Sequence, residues 1–260
     1  MVGRKIVSKG RELLVGQQTS VLSAATVIMV MVIVARVLGL VRQRILSQFF
    51  TSSDLSLFFA AFRLPDAVFE VLVFGAFSSA FIPVFTKALK GGERRAWDIA
   101  AVAVNIGLLV FGVCALGFAL LANPLYKLIA PGFDQGQIQT ISTLARILFA
   151  AQGFFVISYV LTGVLESLRR FLIPALAPVF YNLGIILGTI FLAPTMGLMG
   201  PAIGVVIGAL CHFLIQFPFA FKLGFRFKFK FSLTSEIRHI GKLSFPRILD
   251  ISFEQIQKNI

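Results

Sequence analysis

"SVLSAATVIMVMVIVARVLGLVRQR", residues 20–44, joins sixteen uncharged residues, Ser20 to Ala35, to three arginines: Arg36, Arg42 and Arg44. An apolar helix needs about 20 residues to cross a ~30 Å hydrocarbon core. An arginine near the centre of such a helix costs about 2.5–3.5 kcal/mol on insertion scales. The stretch reads as a membrane span, and a span that keeps several charges in its second half has a use for them.

The rest of the chain has the same character. Of 260 residues, 58% are hydrophobic and only 13% are charged, with a mean hydropathy of +0.92. Soluble domains carry about 25% charged residues. Hydropathy predicts six complete spans, at about 20–41, 55–86, 98–122, 140–165, 172–193 and 200–221. A seventh begins near Lys242 and is cut off at Ile260. The expected fold is all-α, a polytopic transmembrane helix bundle. It divides into a basic amino terminus (1–19), a six-span lobe (20–221), a basic loop (222–241) and a truncated seventh span (242–260). A closed barrel would need many short alternating strands, and only residues 225–231 alternate. Residues 1–19 superficially resemble the start of a signal peptide. The long run that follows lacks a convincing cleavage site and precedes further spans, so an uncleaved first span is expected.

The basic residues set the orientation. Arg4, Lys5, Lys9 and Arg11 precede span one, Lys87, Lys90, Arg94 and Arg95 follow span two, and Arg169 and Arg170 follow span four. Lys222, Arg226, Lys228, Lys230, Arg238 and Lys242 follow span six. The opposite side has only Lys127, with Arg42 and Arg44 at the end of span one. The positive-inside rule therefore places the amino terminus in the cytoplasm. The net charge of +13 then reflects loop placement, and no nucleic-acid partner is expected. Cys114 and Cys211 lie in apolar runs, which argues against a disulfide framework. Cys211 beside His212 is too little for a metal site, so no metal or cofactor is expected.

Glycines recur every four residues at Gly184 and Gly188 and again at Gly200, Gly204 and Gly208, a spacing that lets helix backbones approach closely. The stretch "FRFKFKF", 225–231, sets basic residues on one edge and phenylalanines on the other if extended. It reads either as an interfacial segment touching anionic headgroups or as a solvated loop strand.

Span two holds seventeen Leu, Ile, Val or Phe residues between Leu55 and Phe85, together with Arg63, Asp66 and Glu70. At about −0.3 to −0.6 kcal/mol each, the apolar set supplies roughly −5 to −10 kcal/mol, and three charges cancel it. The span is stable only if its charges face protein or a wet cavity. At about 100° per residue, Glu70 lies ~20° and Asp66 ~60° around the helix from Arg63, so the three share a face. Pro65 frees the carbonyl of Ala61, which predicts a kink or break at this depth. Arg36 and Arg63 are read as facing the cavity, whereas Arg42 and Arg146 reach either the cavity or the headgroups. "RILDISFE", 247–254, repeats the pattern of "RLPDAVFE", 63–70. Arg247, Asp250 and Glu254 are therefore expected to face the same polar space. A cavity richer in arginine than in carboxylate suits an anionic head, because guanidinium grips phosphate oxygens in a bidentate fork. No phosphate-binding glycine loop, metal pattern or nucleophile elbow competes, so no enzyme is expected.

Taken in order, "ARVLGLVRQR" (35–44), "FFAAFRLPD" (58–66), "GAFSSAFIPVF" (75–85), "APGF" (130–133) and "RRFLIPALAPVFYNLGII" (169–186) resemble the MurJ/MviN family. That family comprises lipid II flippases of the multidrug/oligosaccharidyl-lipid/polysaccharide (MOP) exporter superfamily. The resemblance implies a transporter of the bacterial inner membrane that moves undecaprenyl-pyrophosphate-linked peptidoglycan precursor between leaflets. It implies two lobes that rock around a central cationic cavity, of which this chain would be the amino-terminal one. The second lobe would be a missing carboxyl-terminal half or a partner. By motif, Arg36 and Arg42 match the family's paired first-span arginines, and Arg63 matches the basic residue before Leu-Pro. Gln43, Phe69 and Phe74 replace family polar positions, and Ser56 stands at an acidic one with Asp54 nearby. The expected substrate contacts are Arg36, Arg42 and Arg63, oriented by Asp66 and Glu70, with Asp54 and Arg146 as further lining residues. Two alternatives are an exporter of another polyprenyl-linked saccharide and a non-transporting membrane scaffold.

Overall fold

The computed structural model describes residues 21–71, 75–231, 234–236, 238, 240 and 242. Among the described residues eight helices follow one another: α1 (Val21–Phe49), α2 (Ser52–Phe69), α3 (Gly75–Gly91), α4 (Glu93–Leu120), α5 (Ala122–Ile129), α6 (Gln135–Ser167), α7 (Leu172–Met196) and α8 (Met199–Lys222). Five of them, α1, α4, α6, α7 and α8, are each long and apolar enough to cross a membrane. The chain is an all-helical transmembrane bundle. The expected amino terminus (1–19) and most of the seventh span, with Arg247, Asp250 and Glu254, lie outside the described residues.

The described residues of span two form α2 and α3, and residues 72–74 between them lie outside the described residues. Glu70 and Val71 continue α2 as a wider π turn, and the next described helix starts at Gly75. Pro65 itself stays helical. Its ring removes the amide that would bond Ala61, but the Tyr126 hydroxyl donates to that carbonyl at 2.7 Å. The freed acceptor is thus satisfied from α5, a short helix where the sequence suggested only a loop. Tyr126→Phe leaves that carbonyl buried and unpaired, at a cost of about 1–3 kcal/mol. Thermal unfolding in detergent should show a lower midpoint, and an unchanged midpoint would contradict the assignment.

Local chemistry sets the helix ends. Thr51 caps α2 in a reciprocal box with Asp54, its hydroxyl accepting from the Asp54 amide at 3.2 Å. Asp134 and Gln137 do the same for α6. The α6–α7 corner closes on paired bonds from Arg170 N to Leu165 O (2.8 Å) and Arg169 N to Glu166 O (2.9 Å). That turn puts Arg169 at φ 60°, a conformation glycine adopts without strain and other residues pay about 1–2 kcal/mol for. Arg169→Gly should therefore raise the unfolding midpoint slightly. A lowered midpoint would show that the arginine side chain does something the backbone argument omits.

α6 is the central post, in contact with every other helix except α1 at the level of helix packing. Around it lie two apolar clusters. One gathers Phe81, Phe85, Trp97, Val160 and Phe225, the other Leu46, Phe58, Tyr126, Leu144 and Val205. α7 and α8 pack most intimately. A Cβ added to Gly184 would lie 2.4 Å from the Gly208 Cα, and one added to Gly188 would lie 2.5 Å from the Gly204 Cα. The glycine spacing is thus a backbone-to-backbone contact. α1 packs chiefly on α7 and leaves Ile33, Val37 and Leu40 exposed.

Candidate functional site

Three helices each offer an i, i+4 pair to one space. Arg42 and Leu46 come from α1, Phe58 and Phe62 from α2 with Asp66 one turn further, and Tyr181 and Ile185 from α7. With Phe59 they line a hollow of about 350 Å³. Phe58 and Phe62 meet edge to face, their centroids 5.2 Å apart, and Leu46 and Ile185 are buried at the wall. The hollow therefore has aromatic and aliphatic sides, one guanidinium and one carboxylate.

The two charges are held differently. The buried Gln152 of α6 donates its amide to Asp66 Oδ1 at 2.6 Å. Arg42 has no ion-pair partner among the described residues. A guanidinium lining a hollow inside a bundle without a direct ion pair is costly, and an anion in the hollow offsets that cost through a forked pair of hydrogen bonds. Glu70 follows Asp66 by one turn and is half-buried, close enough to act electrostatically on Asp66 and Tyr159.

The other sequence candidates lie elsewhere. Arg63 is exposed, donates to the Ile129 carbonyl at 3.3 Å and so covers the last turn of α5. Arg146 donates to the Ala119 carbonyl at 3.0 Å, again at a helix end, where cations are favoured. Asp54 is occupied by the Thr51 cap. Arg36 lies six residues before Arg42, on an exposed part of α1. α1 runs unbroken through Gly39, so the two arginines are about 120° apart around the helix.

Other residues emerge only in three dimensions. Asn182, beside Tyr181, is buried and donates to the Ala35 carbonyl at 3.4 Å and the Pro178 carbonyl at 3.0 Å, fastening α1 to α7. Between α6 and α8, Ser158 Oγ lies 2.6 Å from His212 Nδ1. Gln216 donates to Ser158 Oγ at 2.7 Å and accepts from Thr162 at 2.9 Å. This cluster is satisfied internally and acts as interhelical glue. Its trace in the sequence is one histidine and one glutamine four residues apart within an apolar span.

The family model described as lipid II flippase MurJ matches residues 45–260. A probable lipid II flippase MurJ from Vibrio cholerae serotype O1 is 30% identical over 209 residues, covering 75% of this chain and 40% of the relative. A lipid II flippase MurJ from Thermosipho africanus is 28% identical over 199 residues, covering 75% and 40%. The chain thus spans about two fifths of the length of these curated relatives. A solved lipid II flippase MurJ in an inward closed conformation superposes with a TM-score of 0.72 at 25% identity, covering 89% of this chain and 48% of the other. An outward-facing multidrug transporter of the MOP superfamily superposes at 0.63 with 17% identity, covering 94% and 55%, which speaks to the fold alone. With a family match across most of its length, the chain belongs to the lipid II flippase MurJ family.

Proposed function

We infer that this chain is the amino-terminal lobe of a flippase that moves a polyprenyl-pyrophosphate-linked peptidoglycan precursor across the bacterial inner membrane. Its amino terminus lies in the cytoplasm, and a second lobe completes the pathway. The observation that carries this reading is Arg42, which lines the hollow between α1, α2 and α7 and has no ion-pair partner among the described residues. The guanidinium holds a diphosphate oxygen pair, and Asp66, steadied by Gln152, limits the net charge so that the head can leave. Arg36 and Arg63, both exposed outside the hollow, receive the head before or after it passes Arg42. Glu70, one turn past Asp66 at the end of α2, contributes the second carboxylate. Movement of one lobe against the other exposes the head to each side in turn.

Depletion of the full-length protein in its own cell tests the substrate. Lipid-linked peptidoglycan precursor should accumulate on the cytoplasmic leaflet, out of reach of an externally added modifying reagent. Accumulation of a different polyprenyl-linked saccharide, with peptidoglycan precursor unaffected, would reassign the substrate.

A further inference from the structure

At the basic end of α3 and α4 lie two adjoining hollows of about 590 and 610 Å³ that share Gly91, Arg95, Ser235 and Glu236. Lys87 lines the first and Arg94 the second. Arg95 is paired with Glu236, while Lys87 and Arg94 have no hydrogen-bond or ion-pair partner among the described residues. The apolar run of α4 begins at Ile99, five residues or about 7 Å beyond Arg94. The hollows therefore sit at headgroup level.

The segment 225–231 adds a second observation. Its lysines do not point free into solution, because Lys228 and Lys230 bond Asp98 at 2.7 and 2.8 Å. The Asn105 amide donates to the Lys228 and Lys230 carbonyls at 2.6 and 3.0 Å. Asn105 is seven residues past Asp98 on α4, about 10 Å deeper along the helix. The backbone of the segment thus lies at acyl depth, and its lysines reach back to the headgroup level. At that depth Phe229 is 98% exposed and Phe231 60% exposed. Bare phenylalanines below a cationic hollow have the layout of a lipid, with anionic head above and hydrocarbon beneath.

We propose that this face is a binding site for an anionic phospholipid, its phosphodiester held by Lys87 and Arg94 and its acyl chain lying against Phe229 and Phe231. A soluble anion would use the cations but gain nothing from the exposed rings. The site is separate from the Arg42 hollow, and the proposal does not depend on transport.

Trp97, the chain's single tryptophan, lies one turn from Arg94 and packs over Gly224, so its fluorescence reports on this face. Brominated phosphatidylglycerol and brominated phosphatidylcholine would be compared as quenchers of the purified chain in mixed vesicles. Phosphatidylglycerol should be preferred, at roughly fivefold per cation engaged. Lys87→Gln with Arg94→Gln should remove most of that preference, while Lys90→Gln with Lys222→Gln, which alters the same membrane face outside both hollows, should keep it. Equal quenching by the two lipids would overturn the proposal, as would equal loss in the two double variants, which would mean surface potential alone. Reversal of quenching by millimolar inorganic phosphate would also overturn it, by assigning the cations to a soluble anion.

Discussion

Gly184→Leu is expected to force α7 away from α8 and to deplete the folded protein in the membrane. A Cβ at this position already meets Gly208 Cα at 2.4 Å, Gly208 N at 2.5 Å and Gly204 O at 2.8 Å. All three are backbone atoms, so no side-chain rotation relieves the clash. Overpacking against movable side chains costs about 1–3 kcal/mol, and a backbone contact exceeds that range. The effect reaches further than one helix pair, because α7 also carries Tyr181 and Asn182, which line the hollow and fasten α1. The readout is the amount of monodisperse protein extracted and its unfolding midpoint. Gly112→Ala is the control, since nothing lies within 4 Å of its added Cβ, and it should be neutral or gain up to about 1 kcal/mol of helix stability. Wild-type behaviour from Gly184→Leu would show that α7 and α8 do not pack as described.

Arg42→Ala is expected to abolish transport while leaving the fold intact. Arg42 is partly exposed and makes no hydrogen bond or ion pair to another helix among the described residues, so its removal costs little stability. In the full-length context, a strain relying on Arg42→Ala should fail to grow when its own flippase is depleted, with the variant present at normal level. Arg42→Lys keeps the charge but loses the fork, and it should support slow growth at best. A membrane scaffold would tolerate lysine fully, so equal growth from wild type and Arg42→Lys would favour that reading.

Much of the bundle is legible in hydropathy. Hydropathy places α4, α6, α7 and α8 to within about five residues of their ends, because twenty apolar residues in a row have few other uses. The glycine register of α7 and α8 is legible for the same local reason. Span two is harder. Pro65 predicts a kink or break, yet the helix continues through it, and the carbonyl it frees is met by Tyr126, 61 residues away along the chain. No window over α2 contains that hydroxyl. The arginines show a similar limit. Helical spacing places Arg63 and Asp66 on one face, yet Arg63 turns to the carbonyl of Ile129 and Asp66 to the amide of Gln152. A helical wheel gives a side chain's direction but not the groups awaiting it on neighbouring helices. The sequence alone leaves the lysines of 225–231 between headgroups and solvent, and the structure gives them Asp98.

The claim on which the functional account turns is that one arginine in a mostly apolar hollow grips a diphosphate. Equilibrium binding of undecaprenyl pyrophosphate to the purified full-length protein, wild type against Arg42→Ala and Arg42→Lys, measures it directly. A forked bond to a charged group is worth about 1.5–3 kcal/mol, so alanine should weaken binding roughly tenfold to a hundredfold, with lysine between. Equal affinities for all three proteins would contradict the account.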